Sequence, residues 1–371
     1  MPITKVAGFA HLASDGKNGD YSKGHSFVQS EYNVVQARTG SMTPLGYAPS
    51  NGRMAFGKQL YNGSGTTHGI STIELTPFFG GLDPATFKKF IMAFRLETIG
   101  TALSSNFPVI GFTLNDVAAA GGTGYATDDL LVYSTGDVTW TNRITQVELV
   151  FDLVTKQLLY YVDGALSKTL TIPDRFITGF AGLKMFSGRK DTTITGATSN
   201  GTTNYLAYFD NWYAVADTGD TTDPYRDRLG AMLVERIPVT AADGTWAPST
   251  GTNLSVINTA RTDEASPNQT PVSVSPADNS GLTVSLDMSG YSDKRPLKGI
   301  SVSVGSFKAS SESGALDAQW TSSEGDLTKA EVPSPNLAST TVVARLQAVK
   351  AISKLPAVAN TGSLKLKLLP R

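Results

Sequence analysis

Val147-Glu-Leu-Val-Phe-Asp152, then a polar turn, Leu158-Leu-Tyr-Tyr-Val162, Asp163-Gly164 and Ala165-Leu-Ser-Lys-Thr-Leu-Thr-Ile172 are the residues that decide the fold. They form three short runs of β-branched, leucine and aromatic residues joined by two turns. Asp-Gly is a strong hairpin signal, because a type I′ turn needs φ > 0 at both central positions. In the first run Val147, Leu149 and Phe151 alternate with Glu148, Val150 and Asp152, so one face can lie on a core. The middle run is apolar or aromatic throughout and suits a strand covered on both sides. A three-stranded antiparallel meander is expected.

Outward from the meander, the chain reads as short strands separated by turns. Strands are expected at Gly8–Leu12, within Phe27–Ala37, and at Gly52–Tyr61, Ile70–Leu75, Pro108–Leu114, Leu130–Tyr133 and Phe180–Phe186. Phe87–Ile99 fits helical and strand spacing alike. Its neighbours are strands and Asp83-Pro84 marks a turn, so a strand from Lys89 is preferred. Tyr205–Val215 is strongly aromatic. Plain alternation sends Tyr205, Phe209 and Tyr213 to one face, and Tyr208 and Trp212 to the other. About ten strands at such spacing imply an all-β sandwich or jelly roll over residues 1–216.

Composition then shifts. Asp217–Asp227 is acidic and turn-prone, Leu229–Ile237 reads as one more alternating strand, and Pro238–Asn268 looks irregular around Trp246. Residues 217–270 are therefore expected to link the sandwich to a smaller β domain over 271–371. Strands of that domain are expected at Val272–Val274, Leu282–Met288, Gly299–Phe307, Leu316–Trp320 and Thr340–Leu346. The tail ends in the alternating Leu364-Lys365-Leu366-Lys367-Leu368, a terminal strand suited to pairing with another subunit.

Bulk properties narrow the function. The 371 residues carry 40% hydrophobic but only 17% charged residues, and 36 glycines; the charged share is well below the usual value of about 25%. The net charge of −1 offers no global field for nucleic acid or an anionic membrane. The chain has no cysteine, which removes disulfides, thiol catalysis and cysteine zinc sites. No signal peptide is expected at the N-terminus. No run of about 18 apolar residues suggests a membrane span.

Tyr160–Gly164, Gly8–His11, Gly52–Leu60, Phe209–Tyr213, Leu229–Pro238 and Asp243–Ser249 together resemble segments of the concanavalin A-like (laminin-G-like lectin/glucanase) proteins of tailed-bacteriophage virions. Tyr160-Tyr161-Val162-Asp163-Gly164 resembles the "lyvDG" strand end of such domains. Gly8-Phe9-Ala10-His11 is similar to their "dGFdh" opening, and Gly52-Arg53-Met54-Ala55-Phe56-Gly57-Lys58-Gln59-Leu60 to "GRfggkaL". Phe209-Asp210-Asn211-Trp212-Tyr213 is similar to "iDNvyv", Leu229–Pro238 to "fLGdvrVetl.P", and Asp243–Ser249 to "dG....W.ps". The order holds over roughly the first two thirds of the chain. Ala7, Ala10 and Ala231 stand where the pattern has acids, and the Asp-rich linker is expanded. The resemblance implies a concanavalin A-like jelly roll in a non-enzymatic virion protein assembled in the host cytoplasm. It would be tail- or collar-associated and would adhere to other virion proteins and to copies of itself. Capsid decoration and a module binding host surface polysaccharide are the alternatives.

No catalytic residue or cofactor is expected. Glucanases of this fold use carboxylates about 5 Å apart for retaining chemistry. Glu148 and Asp152, the nearest acidic pair on one strand, are about 13 Å apart along it. His11, His25 and His68 show no ligand spacing, and no Gly-x-Ser-x-Gly elbow occurs. Gly121-Gly122-Thr123-Gly124 lacks the Lys-Ser/Thr of a phosphate loop. Asp217, Asp220, Asp223 and Asp227 could supply oxygens to calcium, but they lack EF-hand spacing, and a solvated linker is the preferred reading. Tyr208 and Trp212 are the candidates for stacking on a sugar ring.

Overall fold

The computed structural model describes residues 3–7, 35–38, 54–61, 66–67, 69–99, 108–114, 129–134, 143–188, 205–223, 225–235, 237–248, 251–258, 272–273, 281–290, 298–306, 316–321, 331–332, 344–351 and 365–370. The chain divides into two compact units, Pro2–Val234 and Glu235–Arg371. The expected linker is thereby shared: its part up to Val234 belongs to the sandwich, and the remainder to the second unit.

The expected meander is present as β9 (Arg143–Asp152), β10 (Gln157–Val162) and β11 (Ala165–Thr171). Asp163 and Gly164 have φ of 49° and 83°, the type I′ geometry that an Asp-Gly pair favours. Asp163 also ties the turn to β9, where its carboxylate accepts from the Gln146 amide at 2.9 Å. In β10, Leu158 and Tyr160 point into the core, while Leu159 and Tyr161 are only half-buried. The outer side of this strand is therefore less covered than its composition suggested.

The meander continues into an eight-stranded antiparallel sheet. It joins β6 (Lys89–Ile99), β13 (Tyr205–Asp217), β3 (Met54–Tyr61) and β4 (Thr66–Thr67) in the order β11-β10-β9-β6-β13-β3-β4, with β1 (Ile3–Ala7) also on β13. A second sheet runs β2-β5-β12-β7-β8, from Val35–Arg38, Gly69–Glu74, Lys184–Gly188, Pro108–Thr113 and Leu130–Ser134. The core contains buried residues from both sheets, so the unit is a jelly-roll-type sandwich. Its aromatic centre holds Phe90, Phe112, Phe151 and Phe180, with Phe112–Phe151 and Phe151–Phe180 in edge-to-face contact at 5.0 and 5.4 Å. Burial of side chains this large contributes about 1.5–3 kcal/mol each.

One expected strand is shortened at its start and another is replaced by other structure. Phe180–Gly182 is a 3-10 turn following a short helix, Asp174–Thr178, and the strand begins only at Lys184. Phe180 plugs the core against Phe79 at 5.5 Å, and ladder pairing starts where Lys184 meets Glu74 and Thr113. Among the described residues of Leu229–Ile237 no strand forms; Leu229–Val234 is a strap held by side chains of the larger sheet. His11, His25, His68 and Gly121–Gly124 lie outside the described residues.

In the second unit, β14 (Val239–Gly244), β17 (Leu282–Leu286), β22 (Lys365–Pro370), β19 (Leu316–Thr321) and β20 (Glu331–Val332) form one sheet in that order. Ala247–Pro248 pairs with Val272–Ser273, and Gly299–Ser306 with Ala344–Ala351. Residues 238–268, expected to be irregular, carry β14 and a helix at Asn253–Asn258. The terminal strand β22 is central in its sheet, paired with β17 on one side and β19 on the other. Both ladder edges of that strand are thus used within the chain, and neither is left for another subunit.

Candidate functional site

The most organised polar constellation among the described residues lies on the face of the larger sheet turned away from the core. Alternation along β9 puts Val147, Leu149 and Phe151 inward, so Glu148 must point outward. Cross-strand pairing places Tyr161 beside Glu148, Glu148 beside Ala93, and Ala93 beside Tyr213. Tyr161, Glu148 and Tyr213 therefore share one row across four strands.

Tyr213 reaches this row through a break in β13. The pairing shifts between Asp210 and Tyr213, and Asn211 takes a left-handed φ of 51°. Asparagine tolerates that conformation better than most residues. The extra residue puts Phe209 and Trp212, three apart in sequence, into the core together, with ring centroids 5.7 Å apart. It also sends Tyr213 outward. The alternation expected from the sequence does not survive the bulge.

Glu148 is 1% exposed. Its Oε1 accepts from the Tyr213 hydroxyl at 2.6 Å and from the Gly230 amide at 3.1 Å, and its Oε2 accepts from Arg228 Nη1 at 2.8 Å. The Tyr213 oxygen in turn accepts from the Leu229 amide at 3.0 Å. Burial, then donation to the Glu148 carboxylate, holds the Tyr213 phenol far above its usual range. It remains a hydrogen-bond donor at any ordinary pH. The Arg228 guanidinium carbon lies 3.6 Å from the centre of the Tyr161 ring, a cation–π contact. Farther along the strap, the Val234 amide donates to Asn211 Oδ1 at 2.9 Å.

The acidic segment leading into the strap is also engaged. Asp217 Oδ1 accepts from the Gly219 amide at 2.8 Å and from Arg226 Nε at 3.0 Å. Burial raises the Asp217 carboxyl, but its bonds to Arg226 and Gly219 outweigh that and leave it below the usual carboxylate range. Asp220 accepts from the amide and hydroxyl of Thr222 and is lowered by both. Asp227 accepts from the Arg228 amide at 2.8 Å, and the Asp223 amide donates to the Asp220 carbonyl at 3.4 Å. These contacts are those of a turn-rich segment. Among the described residues, no three His, Asp or Glu side chains gather as a metal set.

The other sequence candidates fare as follows. Trp212 is 0% exposed, packed against Phe78 and Phe94 at 5.2 and 4.7 Å; it cannot stack on a sugar, because the bulge turns it inward. Tyr208 lies in β13, and its side chain is outside the described residues. Asp152 accepts from the Val154 and Thr155 amides at 3.0 and 2.9 Å and so caps the β9–β10 turn. Glu148 and Asp152 have separate structural partners.

No family model matches the chain. No curated protein matches it either. Among solved structures, lectin II from Ulex europaeus is 12% identical, covering 58% of this chain and 99% of its own, at a TM-score of 0.31. The carbohydrate esterase vb_24B_21 of the Shiga toxin-encoding bacteriophage phi24B is 15% identical, covering 57% and 99%, at 0.28. A binding domain of botulinum neurotoxin DC, solved with rat synaptotagmin II, is 12% identical, covering 92% and 95%, at 0.27. The superpositions are loose in every case. No described helix is long and apolar enough to cross a membrane.

Sequence reasoning missed Tyr213, Arg228 and Gly230 as partners of Glu148, and Asn211 as the partner of Val234. One signal was available: the Asp210-Asn211 pair inside a strand that is otherwise apolar and aromatic up to Asp217 marks a break in the period. A lone acid at an outward position of a central strand calls for a donor to cover it. Nothing in the sequence says that Arg228, 80 residues away, is that donor.

Proposed function

We propose that the chain is a non-enzymatic structural protein of a tailed-bacteriophage virion, tail- or collar-associated. Its work is to present a rigid sandwich and dock to other virion proteins and to copies of itself. The observation that carries this reading is the meeting of three phage-like segments on one strand. Met54–Phe56, from the Gly52–Leu60 segment, pairs with Ala207–Phe209 of β13. Asp210-Asn211-Trp212-Tyr213 forms the bulge in that strand. Leu229, Gly230 and Val234, from the Leu-Gly segment, bond to Tyr213, Glu148 and Asn211. Segments spread from residue 54 to residue 234 are neighbours in space, as a shared architecture requires and chance matches do not.

The outer-face chemistry supports a structural role. The carboxylate best placed on the larger sheet is sealed under the strap, and its donors come from the chain itself. Its low charge, with 17% charged residues and a net charge of −1, lets many copies pack with little mutual repulsion.

The test is location. Antibody raised against the recombinant chain is applied to density-gradient-purified particles, with mass spectrometry of the same fraction and immunogold labelling by electron microscopy. The chain is expected in fixed stoichiometry with gold at the tail or collar. Absence from purified particles, with the chain present in the lysate, overturns the reading. Gold confined to the head replaces tail or collar with capsid decoration.

A further inference from the structure

We infer that the outer face of the larger sheet at Glu148 is a peptide-docking site, filled in cis by the chain's own strap, residues 226–234. In an assembly its occupant is the same strap from a second copy of the chain.

The receptor half is a fixed row on four paired strands. Neighbouring strands lie about 4.8 Å apart, so Tyr161, Glu148 and Tyr213 span roughly 14 Å in register, with Asn211 offset by the bulge. The ligand half behaves as a bound peptide. Among the described residues, no strand pairing involves residues 218–234. Instead, strap backbone amides donate to receptor side chains: Leu229 to Tyr213, Gly230 to Glu148 and Val234 to Asn211. Such contacts fix a direction and a register without a ladder.

The site has a readable specificity. Arg228 is gripped between the Glu148 carboxylate and the Tyr161 ring face, which a neutral side chain could not reproduce. Gly230 has φ of 77°, a conformation that glycine adopts without strain. The ligand class is therefore a segment that presents Arg-x-Gly, with a free backbone amide four residues after the Gly.

The strap of a second copy meets these terms because it is chemically the same segment. It ends at Val234, where the second compact unit begins, so an exchanged strap would carry residues 235–371 with it. Every contact made in cis is available in trans, and the loop closed by Arg226 on Asp217 is the hinge. The choice of a second copy rests on the virion reading, where copies meet at high local concentration. The docking site itself does not.

Three measurements on the full-length chain test this. In hydrogen exchange, the amides of 229–234 are expected to open well before those of β6, β9 and β13; exchange in one step with the strands overturns a separable strap. A fluorescent peptide of residues 226–235 is expected to bind the R228A chain about tenfold more tightly than wild type, and E148Q added to R228A is expected to abolish the binding. If R228A does not fold by circular dichroism, G230A is used to loosen the strap. A folded, strap-released variant that ignores the peptide overturns the site. Finally, deleting residues 218–225 prevents the strap from folding back. A dimer by light scattering is expected, reverting to monomer with E148Q. A folded monomer without E148Q overturns the second-copy occupant. Neither peptide binding nor dimerisation depends on particle location, so failure here leaves the virion reading standing, and the reverse.

Discussion

Removing the charge on Glu148 should destabilise the sandwich unit, and removing Arg228 as well should add little further. The carboxylate is 1% exposed and takes bonds from Tyr213, Gly230 and Arg228. In E148Q the side-chain shape is kept. Tyr213 and Gly230 then donate to a neutral oxygen, a loss of about 1 kcal/mol each, since bonds to charged groups contribute about 1.5–3 kcal/mol and neutral ones about 0.5–1.5. The amide NH2 of the new side chain faces the guanidinium, donor against donor. Because the Arg228 side chain is 28% exposed, water recovers part of that loss, which adds about 1 kcal/mol. The sum is about 3 kcal/mol. R228M leaves a buried carboxylate without its cation and is expected to cost about as much. In the double variant the weakened Tyr213 and Gly230 bonds and the lost ion pair remain, but no uncompensated charge is added, so the cost stays near 3 kcal/mol and the coupling energy is about 3 kcal/mol. The assay is differential scanning calorimetry of the full chain, following the transition of the sandwich unit. A cost of 3 kcal/mol corresponds to a Tm about 6–12 °C lower for a unit of this size. A shift under about 2 °C for E148Q, or single-variant costs that simply add, would refute the reasoning that this ion pair is a buried clamp.

Other outcomes follow from the same structure. Lowering the pH should release the Asp217–Arg226 contact: the folded carboxyl lies below its unfolded value, so its stabilisation is complete above about pH 4 and fades as pH falls through the folded value. D217N should flatten that acid limb in a pH series of thermal melts, and an unchanged acid limb would count against it. Gly164 has φ of 83° and open space where a Cβ would stand, so G164A should cost about 1–2 kcal/mol from backbone strain alone. G182A, also in open space but without positive φ, should change stability by less than about 0.5 kcal/mol, and urea midpoints compare the two. At Gly111 a Cβ would sit 2.3 Å from the Phe186 ring. G111A should therefore cost about 1–3 kcal/mol by overpacking, with rescue in calorimetry by F186L. W212A should lower the same transition by about 3–5 kcal/mol, as loss of a core aromatic does, and an unaltered melt would contradict its burial.

Most of the sandwich was legible because its signals are local. Asp163-Gly164 names its own turn, Val147–Asp152 alternates over its length, and Asp83-Pro84 marks the turn before the strand from Lys89. The same locality explains the misses. Phe180 looks like the start of a strand by composition, yet it serves as a core plug on a 3-10 turn, and only pairing partners distinguish the two. Leu229–Ile237 alternates as a strand would, but its amides donate to Tyr213, Glu148 and Asn211 instead of to a neighbouring ladder. Trp212 was assigned to a face by a period of two that Asn211 interrupts.

An all-β chain, the positions of its main turns, and the segments that resemble phage proteins can all be read from the residues in order. Those properties arise from side-chain periodicity and backbone preference, which act over a few residues. What Glu148 is for belongs to the tertiary structure. Alternation exposes its carboxylate to the outer face, but only the folding back of residues 226–234 brings Arg228 and the Gly230 amide to it, 80 and 82 positions away. A buried charge is stable only with its donors in place, and no local pattern records which distant donors those are.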